Sequence, residues 1–189
     1  MIDTQPTLIL LDCQQDQIRP DDSAAIETVS RIRRLLVTGR NSGWRILHCQ
    51  FKSRGVPVDP RSNASAPISA LKPLSSEVVF ARSALSAYAE SAFGRAIAVS
   101  NGSPCFLVGF SAQFSLLATV FDSLAMGHSL TVVPQAVGGS PIGPRSASTV
   151  RDVTFDLIER LTPTLGWTEV LDSWTPQADP QMFRRMGIG

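Results

Sequence analysis

Apolar residues along the chain follow two rhythms. Thr7 to Asp12 (TLILLD), Trp44 to Phe51 (WRILHCQF), Glu77 to Phe80, Cys105 to Phe110 and Leu130 to Val133 are short apolar runs. Their length and continuity fit strands buried on both faces of a sheet. Between them apolar positions recur at helical spacing, as in Ile26, Val29, Ile32 and Leu36, and then over Ser86 to Ser100, Phe114 to Met126 and Ala147 to Leu161. Asp21, Asp22 or Ser23 can cap the first helix, Asn41-Ser42-Gly43 closes it, Asn101-Gly102 ends the second and Gly127 stops the third. Glu169 to Leu171 reads as a short last edge strand.

Strands that alternate with helices predict one α/β domain over residues 1–189, a three-layer Rossmann-like fold. Its sheet is expected to be six-stranded and parallel, in the order 3-2-1-4-5-6, with helices on both faces. Ligands of such sheets bind at the carboxyl ends of the strands, where the strand order reverses. The first and fourth strands flank that point; one ends at Asp12 and the other at Phe110-Ser111. Val108 to Thr119 then reads as strand, tight turn and helix, an elbow whose helix N-terminus presents free backbone N–H groups. Residues 52–76, with Pro57, Pro60, Pro67 and Pro73, form one long irregular stretch, the expected place for a lid, a binding loop or an oligomer contact. Gly138 to Pro144 is a second loop, and residues 176–189 form a tail.

Composition narrows the function classes. With 189 residues, 43% hydrophobic and 17% charged, the chain can bury a single core and is not a disordered polyelectrolyte. A net charge of +1 leaves no basic footprint for nucleic acid or an acidic membrane. Cys13, Cys49 and Cys105 have neither disulfide-framework nor zinc spacing, which points to a reducing interior. No basic-then-apolar leader stands at the start, and no apolar run approaches about 18 residues. The expectation is a cytoplasmic protein with a small-molecule partner, no nucleic acid and no membrane. No G-x-x-x-x-G-K, G-x-G-x-x-G or C-x-x-C motif occurs. No D-x-H…H cluster follows the second strand, so neither a cofactor nor a metal is expected.

Asp12, Arg82 and Ser115 are the candidates for chemistry. A carboxylate that closes an apolar strand loses hydration, which raises its pKa and suits it to proton transfer; the alternative is a cap accepting backbone N–H bonds. Arg82, at the end of the third strand, opens on the same side of the sheet. It cannot act as a base, so it holds either Asp12 or a substrate carboxylate, unless it is an ordinary salt bridge. Ser115 needs a partnered base to become a nucleophile; otherwise it is a hydrogen-bond donor at the helix start. His128 lies at the far end of the elbow helix and His48 inside the second strand, a core or lid-side position, which argues against a Ser-His-Asp triad. Cys13 points away from Asp12 by strand alternation. Cys105 starts its strand, and Cys49 lacks a visible activating base.

Three segments together resemble the isochorismatase-like hydrolases, the superfamily that includes nicotinamidases and N-carbamoylsarcosine amidohydrolases. Leu10-Leu11-Asp12-Cys13-Gln14-Gln15-Asp16 is similar to the opening strand motif, whose aspartate belongs to a triad. Leu71-Lys72-Pro73 with Glu77 to Arg82 and Ser86-Ala87-Tyr88 resembles the stretch carrying the triad lysine, and Gly109 to Ser115 the elbow that ends in the nucleophilic cysteine. The resemblance spans residues 6 to 140 and implies a six-stranded sheet, a homo-oligomer (dimer or tetramer) and a non-proline cis peptide at Phe110-Ser111. That peptide would set the Ser111 and Ser115 amides as an oxyanion hole. Gln17, which stands where the resemblance expects an aromatic, is a substrate-contact candidate together with Phe51, Tyr88 and Phe110. Arg82 stands where the resemblance expects lysine, and Ser115 where it expects cysteine. Thiolate attack on an amide is therefore unsupported. The branch that cleaves the vinyl ether of isochorismate, with the aspartate as proton donor, is the chemistry that Asp12 as acid, Arg82 on a carboxylate and Ser115 as donor would fit. A binding or assembly protein that has lost catalysis is the alternative.

Overall fold

Thr7–Leu11 (β1) is buried at all five positions, which only a strand with neighbours on both edges and layers on both faces can be. It pairs in parallel with Arg45–Phe51 (β2) and with Cys105–Gly109 (β4). Val78–Arg82 (β3) pairs outside β2, and Thr131–Val137 (β5) outside β4. The computed structural model describes residues 5–19, 22–52, 65–100 and 102–174, and within these the sheet order is β3-β2-β1-β4-β5. The candidate cap Asp21, most of the proline-rich stretch, Asn101 and the tail from Pro176 lie outside the described residues.

Alternation along the strands divides the core in two. Leu8, Leu10, Ile46, Phe106 and Val108 meet helix α1 (Ser23–Asn41) and helix α5 (Trp167–Trp174). Ile9, Leu11, Leu47, Cys49 and Leu107 meet helices α2 (Ser91–Ala98), α3 (Leu117–Ala125) and α4 (Ala147–Ile158). Asp22 caps α1 by accepting the Ala25 N–H at 2.9 Å, and Ser146 caps α4 through the Thr149 N–H.

Two expectations change. Among the described residues the sheet has five strands, and beyond β5 the chain makes a two-residue contact in place of a sixth: the Val132 N–H bonds to Pro163 O and the Leu165 N–H to Val132 O, both at 3.0 Å. Pro163 has no N–H to extend that ladder. Glu169 to Leu171 instead lies inside α5, where Trp167, Val170, Leu171 and Trp174 keep helical spacing and Glu169 accepts the Gly166 N–H at 2.7 Å. The Arg34 guanidinium, 4.7 Å above the Trp167 ring, ties α5 to α1. The second helix starts later than its pattern, because Ala87–Ala89 forms a 3-10 turn and Glu90 caps α2 through the Ala92 N–H.

One polar cluster fixes how the chain enters β3. Glu77 takes two hydrogen bonds from Arg40 on α1 (2.7 and 2.8 Å), one from the Leu74 N–H (2.9 Å), and lies 2.9 Å from His48 Nε2 on β2. Burial by itself would raise the Glu77 carboxyl; the bonds from Arg40, Leu74 and His48 outweigh it and bring the pKa down to about 2. Burial also holds His48 below its ordinary value, against the pull of Glu77. A carboxyl depressed on folding stabilises above its unfolded pKa, and that contribution is lost as pH falls towards the folded value. Glu77→Gln should therefore cost about 1–3 kcal/mol in urea titrations at neutral pH. The gap to wild type should close on acidification, and a gap that ignores pH would contradict this role.

Candidate functional site

The two central strands end in the same unusual way. Asp12, just past β1, has φ 49°, and Ser111, just past β4, has φ 61°. Outside glycine such left-handed backbone is uncommon and clusters where a chain must re-aim a side chain. Strict alternation would send Asp12 towards α1, whereas Arg82 shares the opposite face with Phe80. The left-handed turn resolves this. The Asp12 N–H still bonds to Cys49 O at 2.9 Å, while its carboxylate reaches Arg82, with Nη2 to Oδ1 at 2.5 Å.

Both members of this pair are buried. Arg82 is the last residue of β3, directly opposite Phe51 on β2, and its guanidinium carbon stands 5.4 Å from the Phe51 ring centre. Nη1 donates to the Ala84 carbonyl. Among the described residues, Arg82 Nε is the one buried side-chain nitrogen or oxygen with no hydrogen-bond partner. Burial pushes the Asp12 pKa up; the Arg82 charge and hydrogen bonds from Ser115 and Arg82 oppose the rise without cancelling it.

Ser115 arrives from the other side. Gly109, with φ 134°, lies so close to β1 that a Cβ there would stand 1.9 Å from Leu11 O, so no other residue fits. After it, Ser111 opens a π turn over Ala112–Leu116 in which the Leu116 N–H bonds five residues back to Ser111 O at 3.2 Å. The turn leads into α3 with Ser115 buried and its hydroxyl bonded to the Asp12 carboxylate. The described peptide bonds are all trans, so the cis peptide expected at Phe110-Ser111 is absent, and the positive φ of Gly109 and Ser111 reverses the chain instead.

The structure thus brings Asp12, Arg82 and Ser115 together, with Phe51 beside them and Ser111 at the head of the turn. Other candidates lie elsewhere. The Phe110 ring is packed into the α1-side core, against Gly138, where a Cβ would meet it at 2.6 Å. Tyr88 is buried against Phe93, and its hydroxyl lies 3.0 Å from His128 Nδ1. Gln17 ends a 3-10 turn, half-buried, and donates to Asp16 at 3.3 Å. The two histidines are taken by Glu77 and Tyr88, so neither is a base for Ser115. Cys13 and Cys49 are buried, and burial raises both thiols far above the range in which a thiolate forms. Among the described residues no group of three or more His, Cys, Asp or Glu could hold a metal ion, and no helix is long and apolar enough to cross a membrane.

Two residues that sequence reasoning passed over hold the site in place. Gln14, buried, accepts the Phe51 N–H at 2.8 Å and donates to Phe51 O and Ser65 O at 3.1 and 2.9 Å, joining the ends of β1 and β2 to the returning loop. Thr119 donates to Ser115 O at 2.7 Å and accepts the Ala87 N–H at 3.0 Å, which fixes the elbow against the segment after β3. Each is an ordinary polar residue in sequence; only its position two residues after Asp12, or four after Ser115, hints at a role.

The fold has known counterparts. The chain matches crystal structures of an isochorismatase from Pseudomonas putida KT2440 (TM-score 0.78, 22% identity, 87% of this chain and 89% of that one) and a putative isochorismatase-family hydrolase from Chromobacterium violaceum ATCC 12472 (0.76, 21%, 92% and 95%). It also matches N-carbamoylsarcosine amidase from Thermoplasma acidophilum (0.68, 20%, 86% and 96%). Identities this low establish the fold. No curated protein matches in sequence. The family model for the isochorismatase domain matches residues 6–155, which include β1 to β5 and every member of the site. The chain belongs to the isochorismatase family of hydrolases.

Proposed function

We propose that the chain hydrolyses a small polar molecule bearing a carboxylate, with Asp12 as proton donor and acceptor, Arg82 as the charge that orients both Asp12 and the substrate, and Ser115 as a hydrogen-bond donor. The observation that carries this reading is the convergence of the three side chains at the carboxyl edge of the sheet, with an aspartate whose pKa is raised. A raised carboxyl keeps a proton to give to a leaving oxygen or an enol-ether carbon, and can take one back from the attacking water. The buried Arg82 Nε–H, unpartnered within the protein, is a donor that a substrate carboxylate or carbonyl would satisfy. The Ser111 and Ser115 N–H groups, at the head of the π turn, are the candidate donors to a developing oxyanion. Nucleophilic attack is not part of the mechanism, because Ser115 bonds to a carboxylate clamped by arginine and the nearby thiols are buried. Three free buried cysteines suit a reducing compartment, and we place the protein in the cytoplasm.

A second reading rests on the same ion pair. Asp12 is already paired with Arg82 while Arg82 Nε stays open, so on this reading the centre holds a ligand without turning it over, as a binding protein. The two readings separate by assay on a panel of small amides and carboxylated enol ethers, isochorismate included. Under the hydrolase reading Asp12→Asn should lower turnover by about 10²–10⁴-fold. If no member of the panel gives an Asp12-dependent product, while some still raise the melting temperature in an Arg82-dependent way, the binding reading replaces it.

The pH profile offers an independent check. Catalysis by protonated Asp12 requires kcat/KM to fall as pH rises through an ionisation above the ordinary aspartate range, and Ser115→Ala should raise that ionisation further by removing a bond to the carboxylate. An Asp12 limb unmoved by Ser115→Ala would count against the contact. Finally, Ser115→Cys combined with Arg82→Lys should create amide hydrolysis that neither single variant shows. Amide hydrolysis by Arg82→Lys alone, which keeps the serine, would contradict the role of Ser115 as a donor.

A further inference from the structure

Buried threonines recur in the helices of this fold, and one of them differs from the rest. Thr28 on α1, Thr119 on α3 and Thr154 on α4 each donate a hydroxyl to the carbonyl four residues earlier, at 2.9, 2.7 and 2.8 Å. That bond is the usual way for a helix to satisfy a buried hydroxyl, and by itself it does nothing for the site. Among the described residues, Thr119 alone of the three also accepts a main-chain N–H from another element, that of Ala87 at 3.0 Å. Thr119 and Ala87 are both buried, so water does not compete for either group. Ala87 opens the 3-10 turn Ala87–Ala89, whose first N–H groups have no partner within the turn. Ser86 takes the next one, from Tyr88, at 3.1 Å, and leaves that of Ala87 to Thr119.

These bonds close a ring around the centre. Thr119 donates to the Ser115 carbonyl, and the Ser115 hydroxyl bonds to the Asp12 carboxylate. On the other side Thr119 holds the Ala87 N–H, and three residues earlier the Ala84 carbonyl receives Nη1 of Arg82. Arg82 Nη2 completes the ring on Asp12 Oδ1 at 2.5 Å. Each arm that reaches the carboxylate is thus fastened at its far end to the same hydroxyl. The two arms leave β3 and β4, which are separated in the sheet by β2 and β1. The ladders fix the strand ends; the Thr119 hydroxyl joins the segments beyond them directly.

We propose that Thr119 is a positioning residue of the centre: its hydroxyl ties Ser115 to the segment that leaves β3, so that the Ser115 and Arg82 contacts on Asp12 form and loosen together. It touches no reacting group. Its action passes through Ser115 on one side and through residues 84–87 on the other. Valine has nearly the same shape as threonine but neither donor nor acceptor. In Thr119→Val the Ala87 N–H is left buried and unpaired, a cost that the segment escapes only by moving away from the elbow. Serine keeps both functions of the hydroxyl. This role rests on the reading of Asp12, Arg82 and Ser115 as one centre and not on turnover, so its test needs no substrate.

The Asp12 carboxyl carbon can be followed by NMR in the full chain labelled at aspartate, with Asp12→Asn to assign its signal. The charged and titratable groups near that carboxylate are Arg82 from β3, Asp16 from the turn after β1, and the thiols of Cys13 and Cys49, which burial keeps protonated. A change at Thr119 replaces none of them. Bonds from Ser115 and Arg82 favour the ionised form of Asp12. Loosening both in Thr119→Val should raise its titration midpoint by roughly 0.5–1 pH unit, part of the roughly 1–2 expected for losing one whole hydrogen bond to a charged group. Thr119→Ser should restore the wild-type midpoint. Thr154→Val removes another buried hydroxyl of the same kind on α4, and should lower the melting temperature without moving Asp12. In a Ser115→Ala chain the Thr119→Val step should move Asp12 by less than it does in wild type. Should Thr119→Val not fold, amide exchange in the wild-type chain decides, because the Ala87 N–H must exchange as slowly as the core amides of α3. An Asp12 midpoint unmoved by Thr119→Val, an equal shift from Thr154→Val, an undiminished shift without Ser115, or rapid exchange at Ala87 would each overturn the proposal. A chain that hydrolyses nothing would overturn the hydrolase reading and leave the role of Thr119 standing.

Discussion

A carboxylate and a guanidinium buried side by side set the terms for the rest of this molecule. Taking Asp12 and Arg82 out of water costs several kcal/mol for each, and their attraction offsets that only at contact and only if the remaining donors find acceptors. The architecture around them supports the pair from four directions and leaves Arg82 Nε, among the described residues, without an acceptor. The β2–β3 register places Phe51 under the guanidinium, Ala84 accepts one of its N–H groups, Gln14 pins Phe51 through both of its backbone groups, and Ser115 supplies a hydroxyl to the carboxylate. Removing one member of such a pair leaves a buried charge alone, at a cost of about 3–5 kcal/mol. The pair is thus a demand on the fold more than a source of its stability, and the demand is met with secondary contacts from β1, β2, β3 and the elbow.

The left-handed residues belong to the same account. A parallel sheet delivers neighbouring side chains to alternate faces, so a site built from consecutive strand ends would be split between two layers. Asp12 and Ser111 break the alternation on adjacent strands, and both chemical groups of β1 and the elbow then fall on the Arg82 side. The strain is local, and the strands below it are buried throughout.

Much of this arrangement was legible in the sequence. Five short apolar runs became the five described strands, and their alternation with helical spacing led to the observed order. Asp12 and Arg82 were visible as polar groups closing apolar strands, and Ser115 as the first buried turn of a helix after Gly109. What escaped did so for physical reasons. Trp167 to Trp174 has helical spacing in a segment too short to distinguish from an edge strand, and the ladder that would have decided it stops at Pro163, a residue without a donor. Tyr88 and Phe110 look equally suited to a pocket or a core, because an aromatic side chain serves both, and packing against Phe93 and Gly138 decided the matter. Gln14 and Thr119 owe their importance to partners 37 and 32 positions away, which no local pattern announces. The expected cis peptide came from the resemblance alone, and here two positive φ angles do its work.

The near-zero clearance at Gly109 has a consequence for how this scaffold can vary. With Leu11 O where a side chain would begin, β1 and β4 are locked at a fixed separation at the point from which both arms of the site depart. Change is therefore partitioned. Positions 12, 82 and 115 are side chains projecting from a fixed frame, so a change at 12 compensated at 82 leaves the backbone in place, while the frame itself tolerates almost nothing at its hinge. A laboratory library that spares one glycine and its neighbour strand could explore that same freedom.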